Sequence, residues 1–283
     1  MDKQIIKKLT PLYLSRWAVS KLIWNAEILL TYLGMTANCD RARLELLKDK
    51  HRGQIGFLIG NGPSVRTEDL ETLCNRITFC FNRFHLAYNR MSFRPTYTVS
   101  ADFAMIKDFG PQMVRESEGT VFLASKTRPE IPGDFIWIGT KYKAPPLVFS
   151  KKIFHHAAIG GASLNVAIQL GYFMGIHRFV LYGVDHEFKY KTVPNPANDT
   201  YCIAQGDDNH FIKNYRTEKL WCPPNMEMIE KSFTWADRYL RKRGGWLINA
   251  TRGGKLNVLE RKNFEEATCL PDIAVPMVDL RQI

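Results

Sequence analysis

Several familiar chemistries are missing from this 283-residue chain. Its six cysteines (Cys39, Cys74, Cys80, Cys202, Cys222, Cys269) form no CxxC pair, which argues against a zinc knuckle or a disulfide scaffold and favours a reduced, cytoplasmic protein. There is no HExxH and no DxD, so a metal site is not expected, and neither GxGxxG nor GxxxxGK[ST] occurs to mark a dinucleotide or P-loop site. Acidic charge is in short supply, with 28 Asp and Glu against 39 Lys and Arg, a formal net charge of +11. That excess suits nucleic acid, an anionic membrane or a phosphorylated substrate. No RNA- or DNA-binding motif accompanies it, so nucleic acid is not the expected partner. With 45% apolar and 24% charged residues the composition is that of a globular protein and excludes disorder, collagen and a pure coiled coil.

The basic excess is local. Residues 1–52 carry 10 basic and 5 acidic side chains, and residues 241–262 carry 7 and 1, whereas 53–240 are nearly balanced. In residues 1–35, Arg16, Lys21 and Glu27 interrupt the apolar run, so neither a membrane-spanning helix nor a signal peptide is expected. Lys3, Lys7, Lys8, Arg16 and Lys21 interleave with Leu12, Trp17, Trp24 and Leu29, as in an amphipathic helix lying on an anionic membrane surface. The same segment could pack on the core or on a second copy in a homo-oligomer. Residues 1–50 therefore read as a basic helix and linker, and 51–283 as the main domain.

From residue 51 onward, short apolar runs rich in Val, Ile, Phe and Tyr recur at 54–59, 77–82, 95–102, 120–125, 134–139, 178–185 and 245–251. They are too short for helices and read as buried strands. Helical stretches fall between them, most clearly at 163–175 and 224–243. The predicted fold is α/β, a mainly parallel sheet with helices on both faces. Residues 186–222 are long and polar for a connection and read as a lid or substrate loop.

The candidate site residues cluster at strand ends. Gly60-Asn61-Gly62-Pro63-Ser64 follows the first strand, where glycines let the backbone approach a phosphate or a ribose. Asn82 and Asp102 end the next two strands, and three such residues in register would form one binding rim. Gly160-Gly161-Ala162-Ser163 opens an apolar helix, with Ser163 as cap or ligand contact. Asp185 and His186 end the 178–185 strand, offering an acid and a base, and His210 lies in the long loop behind Asp207 and Asp208 as a candidate general base.

GNGPS after the first strand, FN after the second, a Gly/Ser turn before an apolar helix, and LYGVD together resemble the CMP-sialic-acid-dependent sialyltransferases of glycosyltransferase family 42. The related superfamily that includes the 6-hydroxymethylpterin diphosphokinases is similar in the same motifs. DDNHF and the later INAT-x-GGKL are similar to polysaccharide-locus proteins of that superfamily, and the resemblance covers roughly residues 50–262. It implies a Rossmann-like domain in which Asn61, Asn82 and Ser163 contact the nucleotide and Asp185 is the strand-end aspartate. Asp102 stands where the sialyltransferases have asparagine, Gly160 where they have arginine, and Glu187 where they have tyrosine. His210 is the best match to the family's base, with Asn214 as the other alignment.

The function this implies is transfer of a sialic-acid- or Kdo-type sugar from a CMP donor to a hydroxyl of a glycan or glycolipid, with no metal or other cofactor. His210 would take the acceptor proton, and loop cations such as Lys213 or Arg216 would help stabilise the departing phosphate. Asp185 or Asp102 would be the nucleophile in a retaining reaction. Such a protein would work in the cytoplasm, peripherally on the inner face of the membrane, in polysaccharide or lipopolysaccharide assembly. The alternative is an ATP- and Mg²⁺-dependent pterin pyrophosphokinase, whose metal would need clustered carboxylates.

Overall fold

Strands that read as unbroken apolar runs have to be covered on both faces, and these are. A computed structural model of the chain describes residues 39–141, 153–188, 191–194, 202–205, 209–216, 219–221 and 223–272. The amphipathic segment 1–35 and the Asp207-Asp208 pair lie outside the described residues. The first half contains α1 (Arg41–Glu45), β1 (Ile55–Ile59), α2 (Thr67–Glu71), β2 (Ile77–Phe81), a 3-10 turn (Phe84–Arg90), β3 (Tyr97–Ser100), α3 (Phe103–Glu116), β4 (Thr120–Ser125) and β5 (Ile136–Lys141). The second half continues with β6 (Ala157–Ala158), α4 (Ser163–Phe173), β7 (Arg178–Tyr182), β8 (Lys191–Pro194), β9 (Cys202–Gln205), β10 (Leu220–Trp221), α5 (Met226–Arg241), β11 (Trp246–Asn249) and α6 (Phe264–Thr268).

Eight of these strands form one sheet in the order β11-β7-β1-β2-β3-β4-β5-β6, and every pairing in it is parallel. The α/β, Rossmann-like reading of the sequence therefore holds. The polar 186–222 region contributes a separate three-stranded antiparallel sheet, β10-β9-β8.

Two apolar layers enclose the main sheet. On one face Leu58, Phe79, Val99, Phe122 and Phe179 pack with Val166, Ile168 and Leu170 of α4, Phe233 and Leu240 of α5, and Leu44 of α1. On the other, Phe57, Ile59, Cys80, Val121 and Val180 meet Leu70 of α2, Phe84 of the 3-10 turn, Met105 and Met113 of α3, and Phe264 of α6. α4 is buried nearly all round, as expected of a crossover helix that passes over β1, β2 and β3 on the way from β6 to β7. α5 has a single apolar stripe of Ile229, Phe233, Ala236 and Leu240, and Asn225 caps it by accepting from the Met228 N–H. α3 does not stand out in the sequence because Gly110-Pro111 interrupts it. Asp102 caps it through the Met105 N–H, and Met105, Ile106, Met113 and Val114 anchor it despite the proline.

Four of the seven cations in segment 241–262 are held in ion pairs. Arg241 pairs with Asp237 and Glu260, Arg252 with Asp69 and Glu265, Lys255 with Glu187, and Lys262 with Glu260. Among the described residues no helix is long and apolar enough to cross a membrane.

His85 is buried in the 3-10 turn, 3.6 Å from Glu116 of α3. Burial lowers its titration to about 4, against the smaller opposing effect of the carboxylate. The unfolded chain protonates this histidine from its ordinary value downward, while the folded chain holds it neutral. Its contribution is therefore intact above about pH 6.5 and is lost as pH falls toward 4. Between pH 7 and pH 4.5, urea unfolding should show wild type losing about 2–3 kcal/mol more than His85→Gln. Equal losses in the two proteins would remove His85 as the cause.

Candidate functional site

The strand order reverses at β1, whose neighbours are β2 on one side and β7 on the other. In an open parallel sheet the crevice beyond the carboxyl ends of such a pair is the expected ligand site. Two groups of candidate residues lie there.

The first joins the ends of β1 and β7. The Gly60 N–H donates to the Tyr182 carbonyl at 2.7 Å, and the Gly62 N–H to the Gly183 carbonyl at 2.9 Å. A Cβ on Gly60 would lie 2.3 Å from the Gly183 oxygen, and one on Gly62 only 1.8 Å from Asp185 Oδ2. These glycines are needed for closeness. Asp185 fills the turn: Ser64 donates to its Oδ2 from Oγ at 2.9 Å and from the backbone N–H at 3.4 Å. Burial raises the Asp185 titration, and the hydrogen bonds from Ser64 oppose that rise. The turn expected to receive a phosphate thus spends its Gly60, Gly62 and Ser64 N–H groups within the protein, partly on its own carboxylate. Pro63 is exposed at its tip.

The second group lines the ends of β1, β2 and β3. Asn61, Asn82 and Asp102 follow these three adjacent strands, as the sequence pattern predicts. Asn61 Nδ2 donates to the Phe81 carbonyl at 2.9 Å and to the Tyr215 phenol oxygen at 2.8 Å. Its Oδ1 is buried with no hydrogen-bond partner among the described residues, leaving an acceptor for an incoming N–H or O–H. Asn82 adopts a left-handed φ of 54° and accepts from Ser100 Oγ at 2.8 Å. Ser163 is the first residue of α4, after the left-handed Gly160 and Gly161. The N-cap is Ala162, and Ser163 Oγ instead accepts from the Ala101 N–H at 2.9 Å, tying α4 to the end of β3.

Residues 209–216 close over this rim. The Phe211 N–H donates to the Asn61 carbonyl at 3.0 Å. Buried Arg216 forms an ion pair with Asp102, and buried Arg83 donates to the Tyr215 carbonyl at 2.6 Å while its guanidinium covers the Phe109 ring. Tyr215 is 2% exposed, and burial pushes its phenol up to about 12, with hydrogen bonds from Asn82 and Asn61 acting in the other direction. The His210 ring stacks on Tyr215 with centroids 3.9 Å apart and planes at 21°. Lys213 is exposed, whereas Arg216 is built into the wall.

His186 stands apart from both groups. It takes a left-handed φ of 54° and lies 3.0 Å through Nε2 from Glu230 of α5. Tyr215, Arg83 and Glu230 escaped the sequence reading. For Tyr215 the usable signal was its spacing from His210 within NHFIKNY, whereas Arg83 and Glu230 sit among ordinary surface-like charges. Beyond β11, a groove of about 350 Å³ is lined by Thr251, Arg252, Arg261, Lys262, Asn263 and Glu265, and its Arg252 is already paired.

Gly62→Ala should destabilise the protein by about 2–4 kcal/mol, because its Cβ must displace the Asp185 carboxylate or the Gly183 carbonyl. Chemical denaturation measures the loss, and a cost under about 0.5 kcal/mol would contradict the tightness of this contact. The chain matches no protein-family model and no curated protein.

Proposed function

We propose that this protein is a glycosyltransferase that moves an acidic sugar of the sialic acid or Kdo type from a CMP donor to a glycan or glycolipid hydroxyl. The observation that carries the reading is the His210–Tyr215–Asn61 arrangement, in which an imidazole stacks on the phenol that accepts from Asn61 at the switch-point crevice, and the Asn61 amide oxygen has no partner among the described residues. The nucleoside, rich in O–H and N–H donors, suits Asn61 Oδ1. His210 takes the proton of the acceptor hydroxyl as its oxygen bonds to the sugar carbon, while the electron pair of the breaking C–O bond leaves with the phosphate. Asn82 and Ser163 border the nucleotide, and Asp185 holds the glycine turn in shape.

The pyrophosphokinase alternative would require carboxylates grouped around Mg²⁺. Of the carboxylates that could serve, Asp102 is engaged by Arg216 and Asp185 by Ser64, while Asp207 and Asp208 lie outside the described residues. We place the protein in glycan assembly, with residues 1–35 as a peripheral anchor on the cytoplasmic face of a membrane.

Thermal-shift measurements with CMP, CDP, ADP and ATP, each with and without Mg²⁺, test this directly. CMP at 100 times its Kd should add about 2.7 kcal/mol of stability without metal. A response to ATP that requires Mg²⁺ would overturn the assignment. His210→Ala should lower CMP release from CMP-sialic acid or CMP-Kdo in the presence of acceptor by at least about 100-fold, with CMP binding within about twofold of wild type. Turnover retained in that variant would remove His210 as the base.

A further inference from the structure

One flank of α5 gathers cations and aromatic rings and leaves its acids elsewhere. Met228, Lys231, Trp235, Arg238, Tyr239 and Lys242 recur at helical spacing and form an outer stripe beside the buried one. Lys231, Arg238 and Lys242 are exposed, Met228 is 46% exposed, and Trp235 and Tyr239 are half-buried. No acid belongs to this stripe. Glu230 turns to His186, Asp237 to Arg241 and the Leu247 N–H, and Glu227 at the border pairs with Lys231. Arg238 and Lys242 form no ion pair among the described residues. The helix dipole favours cations in a last turn, but it makes no demand for a tryptophan and a tyrosine among them.

The stripe continues onto α4. The Tyr239 ring meets Tyr172 edge-on with centroids 5.5 Å apart, and Tyr172 stacks on His177 at 5.0 Å. The Arg243 guanidinium covers Tyr239 at 3.6 Å, and the charged groups around His177 are Arg243, Arg52 and a single acid, Asp49. Cys39, the first described residue, belongs to the same layer. Its Sγ donates to the Phe154 carbonyl at 3.2 Å, and the Phe154 ring packs edge-on against Phe173, the neighbour of Tyr172. The basic amphipathic segment 1–35 is therefore attached to the fold on the face that carries the stripe. α5 itself starts at the crevice end, where a Cβ on Gly161 would lie 3.5 Å from Met228 Cγ, and finishes at the opposite end of the sheet, where Trp246 opens β11.

We propose that this outer stripe of α5 docks on the headgroup layer of an anionic phospholipid bilayer. Arg238 and Lys242 meet the lipid phosphates, and the half-buried Trp235 and Tyr239 suit the boundary between headgroups and acyl chains. The proposal deepens the membrane placement given above and rests on it, while the identity of the sugar donor does not enter. With α5 lying along the surface, the crevice at its first turn opens beside the bilayer, where a lipid-linked acceptor would stand.

Co-sedimentation of the full chain with vesicles tests this. Wild type should bind vesicles of equal parts phosphatidylcholine and phosphatidylglycerol and should not bind phosphatidylcholine alone. Arg238→Gln/Lys242→Gln should bind the anionic vesicles at least about tenfold more weakly, whereas the charge-preserving Arg238→Lys/Lys242→Arg should match wild type. Circular dichroism melts of both variants check that they fold. Trp235→Phe should lose part of the blue shift that anionic vesicles produce in the wild-type tryptophan fluorescence. If the folded glutamine variant binds as wild type does, docking through α5 is overturned, and loss of binding in Lys3→Gln/Lys7→Gln/Lys8→Gln would then leave residues 1–35 as the anchor. If wild type binds neither vesicle, the docking and the membrane placement fall together, while stabilisation by CMP reports separately on the transferase reading. If an RNA duplex binds more tightly than the anionic vesicles and the glutamine variant loses that binding, the face belongs to nucleic acid and the proposal is overturned.

Discussion

The ends of β1 and β7 approach so closely that no side chain fits between them, and the arrangement of the crevice follows from that. Gly60 and Gly62 leave room for the Gly183 carbonyl and the Asp185 carboxylate, and Ser64 satisfies that carboxylate from two donors. A partly buried carboxylate without such donors would cost several kcal/mol. With them it becomes a clamp that fixes where Asn61 leaves β1 and where His186 leaves β7. The short connection Val184–His186 is held from the other side as well, by Thr251 Oγ1 accepting from the Val184 N–H at 3.0 Å and by the Lys255 N–H donating to the Asp185 carbonyl.

On this frame the opposite rim is assembled by a loop that would be polar and shapeless in isolation. Tyr215 brings apolar area to the ends of β1 and β2, where its phenol oxygen finds Asn61. Arg216 and Arg83 are buried cations, and each is compensated: one by the carboxylate of Asp102, the other by backbone carbonyls, Gln112 and an aromatic face. Residues 209–216 are consequently a packed wall, and His210 inherits its position from Tyr215.

Much of the fold was legible because each sheet strand is a short apolar run whose neighbours cover both faces. α4 and α5 announced themselves by length and periodicity, while α3 was hidden by Gly110-Pro111 and is held by tertiary burial of Met105, Ile106 and Met113. Asn61, Asn82 and Asp102 could be placed on one rim because consecutive parallel strands put their following residues side by side. The partners of those residues could not be read. Tyr215, Arg216 and Glu230 come from a loop without periodicity and from the exposed edge of a helix, and their roles depend on contacts across more than forty residues of chain. The pairing of the charges could not be read for the same reason. The basic segment 241–262 is uniform in sequence, yet its acids arrive from Asp69, Glu187, Asp237 and Glu265.

The central place of β1 in the sheet also bears on how the molecule forms. β1 can pair with β2 almost at once, but its other edge has to wait for β7, and the hydrogen bond that closes the crevice joins Ser64 to Asp185 across 121 positions. Contacts of such separation carry a large loop-closure entropy and form late in folding. On the ribosome, the strands from β1 to β5 can therefore align while β1 still presents an open edge, and the crevice exists only after β7 has emerged and α4 has crossed the sheet. A nascent chain released or cleaved before about residue 185 would hold most of the sheet and none of the closed site.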